Sequence, residues 1–374
     1  MSSTSSRPSF VEINLAAITH NLNEIKKKVA PAKIMAIVKA DAYGHGLKEV
    51  TKIAIENGAA YLGVARLEEG IILREYNFKA PILVLGGFFE NQIEEFLNFD
   101  LELTLYDICL AKALSIKAKE FGKIVNVHVK VDTGMGRLGI AWKRADDFVQ
   151  KVLELNHLQI VSIYTHFANS DEKDKSFAMT QLNRFGHVLT NLDEKNIRIP
   201  IKHAANSGAI LDLPNSYFDM VRAGVIMYGY YPSLETSESM AIKPSMSIKS
   251  RVIYSKEVEE GTSISYGQTF KTKRRTKIAT VPIGYGDGFN RLLSNQGEVL
   301  IQGQRFPVVG RVTMDHIMVD VGPESDVKNG EEVVLLGRQG KEEITIYEIC
   351  EKLDTIPYEV TCWVSKRIPK IYKN

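Results

Sequence analysis

The sequence predicts an α/β protein, an N-terminal (β/α)8 TIM-type barrel followed by a second, mostly β C-terminal domain. Three observations carry that expectation. The first two thirds of the chain alternate apolar, β-branched runs with helix-like segments. The runs number eight, the count that closes a parallel sheet into a barrel. After about Pro244 the alternation gives way to short strands separated by turn signals.

The eight runs are Ile34–Val38, Ala60–Ala65, Pro81–Leu85, Leu101–Leu105, Val125–Val131, Gln159–Tyr164, Ile201–Ala204 and Met220–Tyr228. Between them, Leu47–Asn57 places Leu47, Val50, Ile53 and Ala54 on one helical face, and Leu67–Glu75, Asp107–Phe121 and Arg144–Leu155 behave alike. The connection from Ser207 to Asp219 is short and contains Pro214, so its helix is expected to be abbreviated. In the last third, strands are expected at Ile248–Val252, Lys277–Pro282, Glu298–Ile301, Ile317–Val321 and Glu332–Leu336. Glu260-Gly261, Asn295-Gln296-Gly297, Gln302-Gly303, Asn329-Gly330 and Gln339-Gly340 punctuate them, and one helix is expected near Ile346–Leu353. Arg7–Leu15 reads as a strand ahead of the barrel that could pair with the C-terminal domain. The expected division is a barrel over 12–242 and a β-rich domain over 1–11 and 243–374.

The bulk numbers exclude some function classes. A chain of 374 residues suits two domains, and a net charge of +2 lacks the basic excess of a nucleic-acid binder. The basic run Lys271 to Lys277 reads as a solvated hairpin turn. Cys109, Cys350 and Cys362 are scattered and odd in number, which fits a reducing, cytoplasmic compartment. Met1 to Ser9 is Ser-rich without an apolar stretch and reads as a loose tail, and no run is long enough to span a bilayer.

In a barrel of this kind, chemistry sits where the strands end. The residues there are Lys39 with Tyr43, Arg66, Lys130 with Asp132 and Arg137, His166, His203 with Asn206 and Ser207, and Arg222. The set is rich in cations and holds one acid, so it suits an anionic ligand rather than a carboxylate-bound metal. Lys39 emerges from a buried strand, where partial desolvation lowers an amine's pKa and frees it to attack a carbonyl. On position alone it also reads as the first residue of a surface loop. Gly134 to Gly139 satisfies G-x-G-x-x-G, but it follows the fifth strand of a barrel rather than the first of a doubly wound sheet. His45, His128 and His203 lack metal-ligand spacing and read as structural polar residues; no metal is expected.

The stretch Lys39-Ala40-Asp41-Ala42-Tyr43-Gly44-His45-Gly46 resembles the cofactor-lysine signature of the alanine racemases. Similar to that family, in one order along the chain, are Lys130 to Gly139, Thr165-His166-Phe167-Ala168, His203 to Ser207, Arg222-Ala223-Gly224-Val225, Ser265-Tyr266-Gly267, Gly284 to Gly288, Gly310 to Asp315, and Ile356 to Glu359. The resemblance implies pyridoxal 5'-phosphate as cofactor, held by Lys39 through a Schiff base, and a two-base racemisation of alanine that supplies D-alanine for peptidoglycan. Lys39 would serve one face of the substrate and Tyr266 the other. A free tyrosine has a pKa near ~10, so His166 and Arg222 would favour its phenolate. Arg222 would face the pyridine nitrogen and leave it unprotonated. Tyr43, Ser207, Tyr358 and the amides of Gly224 and Val225 would hold the phosphate. Arg137 and the Met314 amide would hold the substrate carboxylate, and Tyr285 with Tyr358 would narrow the entrance. Lys130 beside Arg137 would be carbamylated, turning repulsion into an ion pair.

Tyr266 and Met314 fall in the β domain, so either the two domains fold together or a second subunit completes the site. The resemblance implies the second, a head-to-tail homodimer with shared sites, a small amino-acid substrate, and neither nucleic acid nor membrane as partner. Two enzymes of the same architecture compete with this reading: a broader-specificity amino-acid racemase and a pyridoxal-phosphate decarboxylase. The decarboxylase would need a catalytic cysteine, and Cys350 and Cys362 lack its surroundings. A non-catalytic pyridoxal-phosphate-binding protein would resemble the barrel alone. Where many relatives have Cys, this chain has Thr313.

Overall fold

The computed structural model describes residues 7–374. They form two compact units, one of Ala17–Ala42 with Gly46–Lys243 and one of the residues up to Ala16, Tyr43–His45 and Pro244–Asn374.

The first unit is the barrel. After β1 (Phe10–Asn14), which belongs to the other unit, come β2 (Lys33–Ile37), β3 (Tyr61–Val64), β4 (Ile82–Val84), β5 (Glu102–Leu105), β6 (Val125–Asp132), the two-residue β7 (Ile140–Ala141), β8 (Leu158–Tyr164), β9 (Ile201–His203) and β10 (Met220–Ala223). The order β10-β2-β3-β4-β5-β6-β8-β9 is parallel throughout, with β7 off the path on β6. Amides of Asp219 and Arg222 donate to the carbonyls of Lys202 (3.1 Å) and Ala205 (2.9 Å), which nearly closes the ring. Strand and helix alternate because apolar residues recur with period two or as short continuous runs, then with helical spacing. Helix Ile108–Glu120 shows the local logic: the Asp107 carboxylate accepts from the amides of Cys109 and Leu110, satisfying donors that no preceding turn can reach.

One sector of the barrel interior is polar. Thr104 on β5, His128 on β6 and Ser162 on β8 are in register and fully or almost fully buried. Pairing of β6 with β8 slips between Val127 and His128, so that Val127 faces Ile160 but His128 faces Ser162. Val161 is the extra residue. Side chains alternate between faces, so this bulge turns Ser162 and Tyr164 inward, where an uninterrupted register would put Val161 beside His128.

Two expectations need correction here, the extent of the last barrel strand and the looseness of the N-terminal tail, while the abbreviated helix is found as expected. The run Met220–Tyr228 is a strand only to Ala223; Gly224 ends it, Val225–Tyr228 is a 3₁₀ turn, and Gly229 closes the turn at φ 85°. The abbreviated helix is Ser207–Asp212, followed by a 3₁₀ turn that starts at Pro214. Residues 1–6 of the expected loose tail lie outside the described residues, but Ser9 is not loose. Its side chain is fully buried and its hydroxyl reaches Ser250 Oγ and the Pro282 carbonyl, both at 2.7 Å.

In the second unit, β1 pairs antiparallel with Met246–Arg251 and parallel with Lys370–Lys373. Glu332–Gln339, Glu298–Ile301 and Gln304–Pro307 extend that sheet. A three-stranded sheet joins Tyr254–Val258, Thr276–Val281 and Ile317–Asp320, and a small apolar cluster of Val258, Ile264, Ile278 and Val309 packs beside Phe270 and Met318. The helix Ile346–Leu353 opens with a capping box between Thr345 and Glu348. A second helix, Pro357–Cys362, has proline in its first turn, a start signal the sequence reading passed over. The basic run is not a simple hairpin turn: Lys271 ends a strand of one sheet, Thr276 begins a strand of another, and Lys277 Nζ donates to the carbonyls of Ser325 (3.1 Å) and Val327 (2.6 Å). Among the described residues, no helix is long and apolar enough to cross a membrane.

Candidate active site

Lys39 follows β2 and opens a left-handed helical turn. Ala40, Asp41, Ala42 and Tyr43 all have φ between 52° and 54°. Left-handed helix costs an L-residue roughly 1–2 kcal/mol, so such a turn persists only when its surroundings hold it. Three bonds do so: Ala42 N–H to the Val38 carbonyl (2.9 Å), Gly46 N–H to the Asp41 carbonyl (2.9 Å), and Leu47 N–H to Asp41 Oδ1 (2.8 Å). Glu69 supplies a fourth. Its Oε1 accepts from Ala40 N–H (2.6 Å), while Oε2 accepts from the amides of Ala65 (2.8 Å) and Arg66 (3.1 Å). One carboxylate thus ties the lysine's turn to the end of β3. Sequence reading missed Glu69, although an acid three residues after a helix-capping position was a visible signal. Arg66 itself is exposed and occupies the N-cap position, while the capping bond is the one Glu69 accepts from its amide.

Arg222 lies at 4% exposure on β10. Its Nη1 donates to His203 Nδ1 (3.0 Å), and its Nη2 to the carbonyls of Thr165 (2.8 Å) and Ala204 (2.7 Å) and to His166 Nδ1 (3.1 Å). Burial pushes the guanidinium down to about 10, which still leaves it charged at neutral pH. That charge and burial act on its neighbours. His166 and His203 are both driven well below the ordinary imidazole value, first by burial and then by Arg222. Both are therefore neutral. Lys130 is also buried, its Nζ 4.6 Å from the centre of the Tyr164 ring. Burial, then Arg222 and Arg137, push its amine well below the usual lysine range, against a smaller opposing pull from Asp132. His203 stacks on the other partner of this cluster, Tyr164, at 4.6 Å and 5°.

Asn206 caps the helix Ser207–Asp212, accepting from Ala209 N–H (3.1 Å) and Ser170 Oγ (2.6 Å). Ser207 Oγ accepts from Gly224 N–H at 3.1 Å. The next amide, that of Val225, begins a 3₁₀ turn and so lies beyond any partner within the turn. A hydroxyl and such amides suit an anionic oxygen. Arg137 is exposed on the loop after β6. The glycines of that loop close it rather than cradle a dinucleotide. Gly139 has φ 128°, and a Cβ there would lie 2.6 Å from Asp132 N, where the chain returns to pair with β6.

The remaining candidates belong to the β-rich unit. Tyr43 is buried, with its ring 5.9 Å from that of Tyr358 at 49°. Gly44 is pressed against the helix Pro357–Cys362; a Cβ there would lie 2.1 Å from the Thr361 carbonyl. Tyr266 is 73% exposed on a turn whose Ser265, Gly267 and Gln268 have φ of 64°, 70° and 50°. Ser265 Oγ donates to the Arg311 carbonyl (2.6 Å) and fixes that turn. Tyr285 and Met314 come together because the amides of Tyr285 and Gly286 donate to the carbonyls of Thr313 (3.0 Å) and Met314 (2.9 Å). The Thr313 hydroxyl is used within its own turn, donating to the His316 carbonyl (2.9 Å) and accepting from His316 N–H (3.0 Å). Among the described residues, no group of three or more His, Cys, Asp or Glu could hold a metal ion.

The family model described as alanine racemase, N-terminal domain, matches residues 13–232, and alanine racemase, C-terminal domain, matches 245–372. The chain is 47% identical over 368 residues to "Alanine racemase 2" of Caldanaerobacter subterraneus subsp. tengcongensis, covering 98% of this chain and 95% of the relative. It superposes on the solved alanine racemase of Clostridium difficile 630 with a TM-score of 0.95 at 39% identity, covering 99% and 97% of the two chains. The solved alanine racemase of Bacillus anthracis with bound L-Ala-P superposes with a TM-score of 0.92 at 38% identity, covering 100% and 96% of the two chains. With identity of this order along nearly its whole length, and a barrel and a β-rich unit that carry the matching motifs in the same order, the chain belongs to the alanine racemase family.

Proposed function

We propose that the chain interconverts L-alanine and D-alanine with pyridoxal 5'-phosphate as cofactor and Lys39 and Tyr266 as the two bases. The observation that carries this reading is Arg222: a buried, charged guanidinium held by four acceptors at the end of a barrel strand, beside two neutral histidines. The residues fit the cofactor on chemical grounds. Ser207 with the Gly224 and Val225 amides suits its phosphate, as do the paired rings of Tyr43 and Tyr358, and Lys39 suits its aldehyde. When bound, the cofactor supplies an electron sink for negative charge at the substrate Cα.

The chain's own residues do the rest. Lys39 Nζ takes or returns the Cα proton on one face, and Tyr266 Oη does so on the other. Arg222 would donate toward the cofactor's pyridine nitrogen and, retaining its own proton, would leave that nitrogen unprotonated. With that nitrogen unprotonated, the ring would draw less negative charge away from the substrate Cα, and proton return there by Lys39 or Tyr266 would be favoured. Arg137 and the Met314 amide hold the substrate carboxylate, and Tyr285 with Tyr358 restricts entry to small amino acids. Burial and its cationic neighbours drive the Lys130 amine well below the usual lysine range, which favours the free lone pair that attack on carbon dioxide needs. The N–C bond forms, one proton leaves to solvent, and the resulting carbamate offsets the charge of Arg137.

Tyr266, Met314 and Tyr285 stand 73%, 50% and 43% exposed on the β-rich unit, as residues reaching another chain's site would. We therefore take the working form to be a homodimer with shared sites. The barrel domain is taken as 12–242 and the β domain as 1–11 with 243–374. The free cysteines suit a cytoplasmic enzyme, and D-alanine for peptidoglycan is the product's proposed use.

The test is direct. Purified protein should be yellow and bleach with borohydride, with the adduct on Lys39. Tyr266→Phe should stay yellow and lose about a hundredfold or more of racemisation in the direction that uses that base. A colourless protein without a lysine adduct would sink the reading.

A further inference from the structure

The buried polar sector of the barrel contains a hydrogen-bond chain that starts at Arg222 and ends near the opposite end of the strands. Arg222 Nη1 reaches His203 Nδ1 at 3.0 Å, and His203 Nε2 reaches Ser162 Oγ at 3.1 Å. Ser162 Oγ in turn lies 2.5 Å from His128 Nδ1, and His128 Nε2 lies 2.6 Å from Glu102 Oε2. Every member is buried: His203, Ser162 and His128 are fully so, Arg222 is 4% exposed and Glu102 8%.

The proton positions follow from the two ends. A guanidinium can only donate, so His203 Nδ1 must accept and its proton must sit on Nε2. That N–H donates to Ser162. Among the described residues the only acceptor in reach of the Ser162 hydroxyl is His128 Nδ1, so the His128 proton also sits on Nε2, and it donates to the carboxylate. Five groups are therefore aligned in one direction, from Arg222 to Glu102. Reversing the chain would set an N–H of His203 against an N–H of Arg222.

Among the described residues no carboxylate lies within ion-pairing distance of Arg222, and a buried, uncompensated charge is expensive. The aligned dipoles of two imidazoles and a hydroxyl turn their negative ends toward it, and bonds in such a chain polarise one another. Glu102 also accepts from Asn126 Nδ2 through its Oε1 (2.8 Å), and it borders a cavity of about 250 Å³ that Arg74 and Lys123 also line.

We propose that Glu102 is a positioning residue for Arg222: acting through His128, Ser162 and His203, it stabilises the Nε2–H tautomer of His203 that Arg222 requires and so holds the guanidinium in place. Its effect on turnover rests on the reading that Arg222 faces the cofactor. The bulge at Val161 is what makes the chain continuous, since it alone brings Ser162 opposite His128.

The test uses full-length enzyme labelled with ¹⁵N-histidine, with and without pyridoxal phosphate. The chain has 8 histidines, few enough to assign their ring nitrogens. His128 and His203 should both be neutral with the proton on Nε2. Glu102→Gln, whose amide oxygen still accepts, should keep both signals and stay within about threefold of wild-type kcat. Ser162→Ala and Glu102→Leu, which break the chain at different points, should disturb the His203 signal and lower kcat about tenfold with KM for alanine nearly unchanged. A doubly protonated His128, a His203 with its proton on Nδ1, or a Ser162→Ala protein with unchanged His203 signals would overturn the proposal. Disturbed signals with unchanged kcat would leave the relay standing and instead remove Arg222 from the catalytic reading.

Discussion

At the scale of single residues, the site is governed by what burial does to bases. His203 and His166 fall well below their ordinary value of 6.5 because a charged imidazolium would lose its water and face Arg222. The sign of the linkage follows. Below pH 6.5 the unfolded chain takes up protons that the folded chain refuses, so stability rises with pH through that window and is lost as pH falls below 6.5. Each histidine contributes a slope of up to about 1.4 kcal/mol per pH unit there. Denaturant unfolding of the barrel between pH 7.5 and 5 should show the fall, and His203→Gln should reduce the slope by up to about 1.4 kcal/mol per pH unit. An identical slope in the variant would mean that His203 is already protonated in the native protein. The sequence showed that these residues were present at strand ends, but not which would be neutral. That depends on the position of Arg222, fixed by carbonyls of Thr165 and Ala204 that no side-chain motif announces.

At the scale of elements, the turn after β2 carries the most strain in the smallest space. Ala40 is exposed, with φ of 53°, and its amide bond to Glu69 does not involve its methyl group. Glycine is at home in this conformation. Ala40→Gly should therefore relieve more strain than the unfolded chain gains in freedom, raising stability by about 0.5–1 kcal/mol. The same change should loosen Lys39 and lower turnover. A fall in the denaturant midpoint would show that the methyl group packs in a way that offsets its strain. Neither this turn nor the Val161 bulge was legible beforehand. Lys39 to Gly46 reads as an ordinary loop with two glycines, because nothing in Ala-Asp-Ala-Tyr announces a left-handed helix. The strands themselves were legible wherever apolar residues recur, as in Ile34–Val38. At Met220–Tyr228 the apolar content ran on past the strand, since a 3₁₀ turn buried on all sides is as apolar as a strand. Glu102 was not legible because its bonds reach groups distant in sequence, and of Glu69 only the local capping bonds were legible, not the bond to Ala40.

At the scale of the whole molecule, the two units divide the proposed machinery between them. Lys39, His166, Ser207 and Arg222 lie in the barrel unit, while Tyr266, Tyr285, Met314 and Tyr358 lie in the β-rich unit. The order of the units was readable from the change of period near Pro244. Pairing of β1 with Met246–Arg251 was open to a guess but not to proof, because a short alternating segment fits many edges. The division permits a test that single-chain variants cannot give. If each site combines Lys39 of one chain with Tyr266 of another, a heterodimer of Lys39→Ala and Tyr266→Phe chains has one site with both defects and one with neither. Random reassortment of equal amounts makes half the dimers mixed, so roughly a quarter of all sites regain wild-type composition. Two preparations that are each inactive in the Tyr266-dependent direction should therefore recover about a quarter of wild-type activity when unfolded, mixed and refolded together. If both residues of a site come from the same chain, each chain keeps its own defect, and mixing restores nothing at any ratio or concentration.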